Sequence, residues 1–276
     1  MIVDAHVHLF PPRVAAERAQ YVAQDAWFNQ LYARPGVRLA TMEELLPSMD
    51  AARIDCSVVA AFPWADQALC EEHNAYYRTL KSERLARLAV VQPRARQRAL
   101  DELRRCLDSG FAGLGEMNVD AQGVELADDD AWGPLVECLV EAGGTLLLHA
   151  SEPVGHDYPG KGRNTPDKIY AFALKYPELR IVAAHWGGGL PFYYLMPELG
   201  PTLPNLYFDS AATEYLYDVR VFPTAIAAAG PERAIFGSDF PLLGQDRSLK
   251  HVRSAGLPAE TLAALLGDNA ASAYRL

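Results

Sequence analysis

Two histidines stand one residue apart near the amino terminus, in Asp4-Ala5-His6-Val7-His8. In an extended strand, side chains i and i+2 point the same way, so both imidazoles reach one centre from a single element, and Asp4 shares their parity. Neutral imidazole is a common ligand of divalent zinc, and two donors on one strand fix part of a coordination shell at little entropic cost. Such a pair also arises by chance, so its meaning depends on what else converges on it.

Two further histidines end apolar runs: His149 follows Thr145-Leu146-Leu147-Leu148, and His185 follows Ile181-Val182-Ala183-Ala184. Taken alone, each fits a satisfied core histidine. Asp239 lies just beyond another such run, in Ile235-Phe236-Gly237-Ser238-Asp239-Phe240-Pro241, where Gly237 permits a tight backbone path. It suits a metal ligand that also takes a proton from bound water, or a turn or helix-capping aspartate. Glu116 closes Gly113-Leu114-Gly115-Glu116, where a carboxylate suits a ligand bridging two ions, a partner orienting a histidine, or a solvated loop residue.

These residues converge only if the elements carrying them share one end. Strands are expected at Ile2 to Ala5, Cys56 to Ala61, Leu85 to Val91, Ala112 to Glu116, Thr145 to His149, Arg180 to Ala184, Leu206 to Asp209 and Ala234 to Gly237. Helices are expected between them, at Met42 to Ala52, Asp66 to Ser82, Ala95 to Asp108, Asp130 to Ala142, Pro166 to Tyr176, Tyr215 to Ala229 and Pro258 to Leu266. Leu100, Leu103 and Leu107, for instance, recur at the helical spacing of three and four. Strands alternating with helices predict an α/β fold, a single (β/α)8 TIM barrel spanning 1–276 whose C-terminal strand ends ring one mouth. The stretch from about residue 10 to 40 reads as a lid or an elaborated first loop.

In their order along the chain, Asp4-Ala5-His6-Val7-His8, Leu148-His149, Ala184-His185-Trp186-Gly187-Gly188-Gly189 and Gly237-Ser238-Asp239-Phe240-Pro241 resemble the amidohydrolase superfamily. With the terminal Gly267-Asp268-Asn269-Ala270-Ala271, they look like the amidohydrolase-related group of metal-dependent TIM-barrel hydrolases, which includes aromatic-acid decarboxylases and lactonases. The resemblance implies that His6, His8 and Asp239 are ligands, His149 a further ligand, and His185 a ligand or a donor to the attacking water. Many members carry a carboxylated lysine at the fourth strand; here Glu116 stands there, as in TatD-like hydrolases, which implies a site able to hold one ion or two.

The expected activity is hydrolysis of an ester, lactone, amide or phosphoester of a small molecule. A divalent metal, zinc first and manganese second, lowers the pKa of bound water toward roughly 7. Asp239 then serves as general base, and His185 stabilises the developing oxyanion. The alternative is zinc-dependent, non-oxidative decarboxylation of an aromatic or unsaturated carboxylic acid, against which Glu116 weighs. The polar, Gly-rich segment after His149 is the expected substrate loop, with Tyr158, Lys161 and Arg163 as candidate contacts and Trp186 as a candidate pocket wall. His156 is weighed beside Tyr158, whereas His73 and His251 read as surface or packing residues.

Composition narrows the partners. The formal charge of -10, from 25 Lys plus Arg against 35 Asp plus Glu, leaves no basic footprint for nucleic acid and favours a small-molecule substrate. Cys56, Cys70, Cys106 and Cys138 lie far apart, so they read as thiols in a reducing compartment rather than a disulfide framework. With no signal-peptide pattern and no apolar run of membrane-spanning length, a cytoplasmic location is expected. A homodimer is the default expectation for assembly.

Overall fold

In the computed structural model, which describes residues 1–199 and 202–276, eight parallel strands pair in sequence order. They are β1 (Val3–His8), β2 (Cys56–Ala60), β3 (Leu85–Ala89), β4 (Gly113–Met117), β5 (Thr145–Leu148), β6 (Arg180–Ala183), β7 (Leu206–Asp209) and β8 (Ala234–Ile235). Helices lie between them, giving the expected (β/α)8 TIM barrel. The two-residue β8 is too short to seal the ring by a regular ladder. The segment that follows it does so instead: Ala5 N–H donates to the Phe236 carbonyl at 2.8 Å, Asp239 N–H to that of His6 at 2.9 Å, and His8 N–H to that of Phe240 at 2.7 Å.

Inside the barrel, Val3, Ala5, Val58, Ala60, Leu88, Leu147, Val182 and Ile235 form one apolar cluster. Ala270, Ala273 and Tyr274, from the helix Asn269–Tyr274, join it and close the N-terminal end. There the hydroxyl of Thr145 donates to the Ala273 carbonyl at 2.6 Å. Outward-facing strand residues such as Val7, Val59, Leu114 and Phe208 pack in the larger cluster beneath the helices. The helices begin where short polar side chains satisfy free amides: Asp66 accepts from Ala68 N–H, and Asp128 from Ala131 N–H.

Some helices depart from the expected pattern. The helix expected at Tyr215 to Ala229 is two, Thr213–Leu216 and Val221–Ala229, because Asp218 accepts from Arg220 N–H at 3.0 Å and turns the chain locally. The helix expected at Pro258 to Leu266 ends at Ala263 and passes into a wider turn at Ala264–Asp268. The helices Gln245–Ser254 and Asn269–Tyr274 were not anticipated. In the first, Leu249 and Val252 are the sole buried apolar residues, a thin signal for periodicity. Residues 10–40 contain three short helices, Pro12–Ala16, Arg18–Gln24 and Ala26–Tyr32. No helix among the described residues is long and apolar enough to cross a membrane.

Candidate metal centre

A bulge in β1 aims the first two histidines. Val3 pairs with Cys56 and Asp4 with Ser57, but the register then slips by one residue, so that Val7 meets Val59 and His8 meets Ala60. Val3 and Ala5 therefore face the barrel interior below the slip, and His6 and His8 face it above. The shared parity expected for Asp4 fails for this reason. Asp4 is buried on the other side of the sheet, accepting from Ser238 Oγ at 2.6 Å, Ser238 N–H at 2.9 Å and Gln245 Nε2 at 2.8 Å, and burial raises its carboxyl to about 6.

The fourth strand repeats the device. Leu114 pairs with Leu146, but Met117 comes level with Leu148, so the extra residue turns Glu116 inward. Only glycine fits at the bend: a Cβ on Gly115, whose φ is +145°, would stand 2.6 Å from Leu147 Cβ. A Cβ on Gly237 would likewise stand 2.9 Å from His6 Cβ, and its absence lets the Asp239 turn reach the centre.

Six side chains converge at the mouth in two sets, His6, His8 and Asp239, then Glu116, His149 and His185. Each of three imidazoles is oriented by a bond from its far nitrogen. Nδ1–H of His6 donates to Asp209 at 2.8 Å, that of His8 to the Ala60 carbonyl at 3.2 Å, and that of His185 to the Ala211 carbonyl at 3.1 Å. Their Nε2 lone pairs are left to face the centre. His149 is reversed: Nε2–H donates to the Gly160 carbonyl at 3.0 Å, and Nδ1 faces Glu116 at 3.0 Å. Asp209 also holds the backbone, accepting from His185 N–H at 2.9 Å and Ala211 N–H at 3.0 Å. His185 and Asp239 both adopt left-handed backbone conformations, with φ of 55° and 66°.

This orientation brings acceptors against acceptors. The Nε2 atoms of His6 and His8 are 3.1 Å apart, and the Asp239 carboxylate lies 3.5 Å from the latter. Glu116 divides its oxygens: Oε2 is 3.5 Å from His8 Nε2, while Oε1 is 3.6 Å from His185 Nε2. Facing lone pairs repel unless a proton or a cation lies between them. Protons fill that role when no cation does. Burial opposes a charge on His6, yet Asp209 and Glu116 raise its imidazole to about 10, and Glu116 and Asp239 likewise raise His185 to about 9. Glu116 is held well below the ordinary carboxylate range by His149 and His6 despite its burial. Imidazole and carboxylate donors, fixed by outer partners, fit a divalent metal.

A cavity of about 610 Å³ opens above these residues. Trp27, Tyr32, Phe62, Tyr158 and Tyr215 line it as aromatic walls, with Arg34 and Arg38 among them. Tyr32 feels burial first, then the charges of Asp239 and Glu116, and all three raise its phenol. Of the four substrate contacts expected from sequence, Tyr158 lines the cavity, its hydroxyl donating to Glu152 at 2.9 Å. The others lie elsewhere. The Lys161 ammonium is bound to the carbonyls of Val154, Gly155 and His156 at 2.9, 3.3 and 3.0 Å, which staples its own loop. Arg163 pairs with Asp120 at 2.7 Å with its side chain 74% exposed. Trp186 is buried away from the cavity against Phe222, its Nε1–H donating to Thr213 at 2.9 Å. His156 lines the cavity, and His73 is a packing residue that accepts from Trp64 Nε1–H at 3.0 Å.

Asp209 escaped the sequence reading although it carries the signal that singled out Glu116, a carboxylate ending an apolar strand. Tyr32, Arg34 and Arg38 had no comparable signal, because the path of residues 10–40 over the mouth depends on tertiary packing.

Comparison with known proteins agrees with this architecture. The family model described as amidohydrolase matches residues 3–276. Among curated proteins, no match is found. Among solved structures, the chain is similar to 5-carboxyvanillate decarboxylase from Sphingomonas paucimobilis, with a TM-score of 0.79 and 21% identity over 100% of this chain and 99% of that one. It is also similar to a dihydroxybenzoic acid decarboxylase from a Polaromonas species, solved with manganese and the inhibitor 2-nitroresorcinol (TM-score 0.70, 18% identity, 100% and 97% covered). A third is a putative amidohydrolase from Staphylococcus aureus (TM-score 0.72, 16% identity, 100% and 99% covered).

Proposed function

The chain belongs to the amidohydrolase family, and from that premise we propose that it is a metal-dependent, non-oxidative decarboxylase of an aromatic or unsaturated carboxylic acid. The observation that carries this reading is the cavity above the centre, walled by aromatic rings and bearing Arg34 for an anion, with Arg38 beside it paired to Glu44 at 3.2 Å. The decarboxylases similar in fold act on substrates of that class. This ranks decarboxylation above the hydrolysis that the motifs alone favour.

In this reading His6, His8 and Asp239 would hold a divalent ion, manganese or zinc, with His149 as a further ligand. When bound, the ion supplies a Lewis acid that polarises substrate oxygens. Decarboxylation breaks the bond between the ring carbon and its carboxylate, releases carbon dioxide and places a proton on the carbon left behind. His185 brings that proton. Its Nδ1–H is fixed on the Ala211 carbonyl, and Glu116 favours the charged imidazole from the other side. Asp209 keeps both His6 and the His185 backbone in register.

A second reading, hydrolysis, is favoured by one observation. The two oxygens of Glu116 face different histidines, a geometry suited to two cations with Asp239 as general base. Incubating manganese- or zinc-loaded protein with hydroxybenzoates, lactones and esters separates the two readings. Release of carbon dioxide from a hydroxybenzoate is expected; turnover of a lactone or ester without it would install hydrolysis in its place.

A further inference from the structure

The donors around the centre are committed to partners, as His6, His8 and His185 illustrate. Tyr32 is different. Its hydroxyl has no hydrogen-bond partner among the described residues, although the ring is held firmly: stacked on Phe28 at 4.9 Å and edge-on to Phe10 at 5.1 Å and Phe62 at 5.9 Å. It lines the same cavity as Glu116 and Asp239, the acidic groups whose charges it feels. A phenol is protonated at neutral pH, so here it can donate to a ligand oxygen placed in the cavity.

We infer that Tyr32 is a substrate-binding residue whose hydroxyl donates to an oxygen substituent on the ring of the acid, so that ring-oxygenated acids are selected over bare ones. The inference rests on the reading of the cavity as an aromatic-acid site. Trp27 and Phe62 supply apolar wall on the same cavity, and Tyr32 adds a fixed polar point to it. Being held by Phe10, Phe28 and Phe62, the hydroxyl is pre-positioned rather than recruited.

The test uses the manganese-loaded full chain and its Tyr32→Phe variant, with 2-nitroresorcinol and benzoate as probes, binding being followed by quenching of tryptophan fluorescence. Tyr32→Phe is expected to bind 2-nitroresorcinol roughly tenfold more weakly, the worth of one hydrogen bond. Benzoate affinity, manganese content and melting temperature should stay at wild-type values. Unchanged 2-nitroresorcinol affinity, or an equal loss for benzoate, overturns the role of Tyr32 and leaves the aromatic-acid reading standing. If the wild-type protein binds neither probe, that reading fails and the inference falls with it.

Discussion

The floor and the wall of the cavity are built by opposite rules. On the floor every histidine has a second bond that fixes its ring, and His6 and Asp209 are fully buried. On the wall, Trp27 and Tyr32 are half-buried, Arg34 is exposed, and Tyr215 is 52% exposed. Geometry that must hold through a reaction is assembled from strand ends and buried bonds. Geometry that selects a ligand is hung on short helices and loops, where a substitution alters fit without disturbing the centre.

The most severe way to break that contrast is on the floor. His185→Gln is expected to lower kcat by roughly 10²- to 10⁴-fold, the usual contribution of a positioned proton donor, with metal content preserved in elemental analysis. Asp209→Asn should weaken metal affinity roughly 10- to 100-fold by releasing His6, read from titration against a competing chelator. If it binds metal as tightly as wild type, the orienting bond is unimportant.

The pH response sharpens the same contrast. Metal must displace the proton of His6, raised to about 10, so metal affinity should rise with pH and binding should release protons, measurable by calorimetry in buffers of differing ionisation enthalpy. Metal-free protein should respond in the opposite direction. His6 binds its proton more tightly folded than unfolded, so its stabilising contribution is full below the unfolded value of 6.5 and is lost as pH rises toward about 10. Melting temperature without metal should fall across that interval.

The wall should yield smaller effects. Trp27→Ala is expected to raise KM roughly tenfold with kcat little changed, the signature of lost uniform binding. Arg163→Ala, which removes an exposed guanidinium while Asp120 keeps its bond from the backbone N–H of residue 163, should change stability by no more than about 1 kcal/mol and leave kcat/KM at the wild-type value.

The same division governs what can be read in the sequence. The alternation of strands and helices, and polar residues ending apolar runs, placed His149, His185, Glu116 and Asp239 at one mouth because the barrel topology makes sequence order a spatial order. Bulges were illegible: period-two reasoning grouped Asp4 with His6 and His8, and only the register slip separates them. Trp186 looked like pocket wall because it follows a site histidine. Left-handed conformations at 185 and 186 turn the chain, and the indole packs against Phe222. Tyr32 is placed by contacts among Phe10, Phe28 and Phe62, residues that no local pattern connects.

The closing seam of the barrel carries a consequence for how the protein matures. Asp4 and Ser238, 234 residues apart, are bonded across it, and the neighbouring residues His6, His8 and Asp239 supply one of the two ligand-like sets. An ion held there would tie β1 to the segment after β8. A nascent chain that has not yet emitted Asp239 lacks that set, and one that has emitted it but not joined β1 to the segment after β8 holds it apart. Ion capture would thus certify that synthesis has passed this point and that the ring has shut.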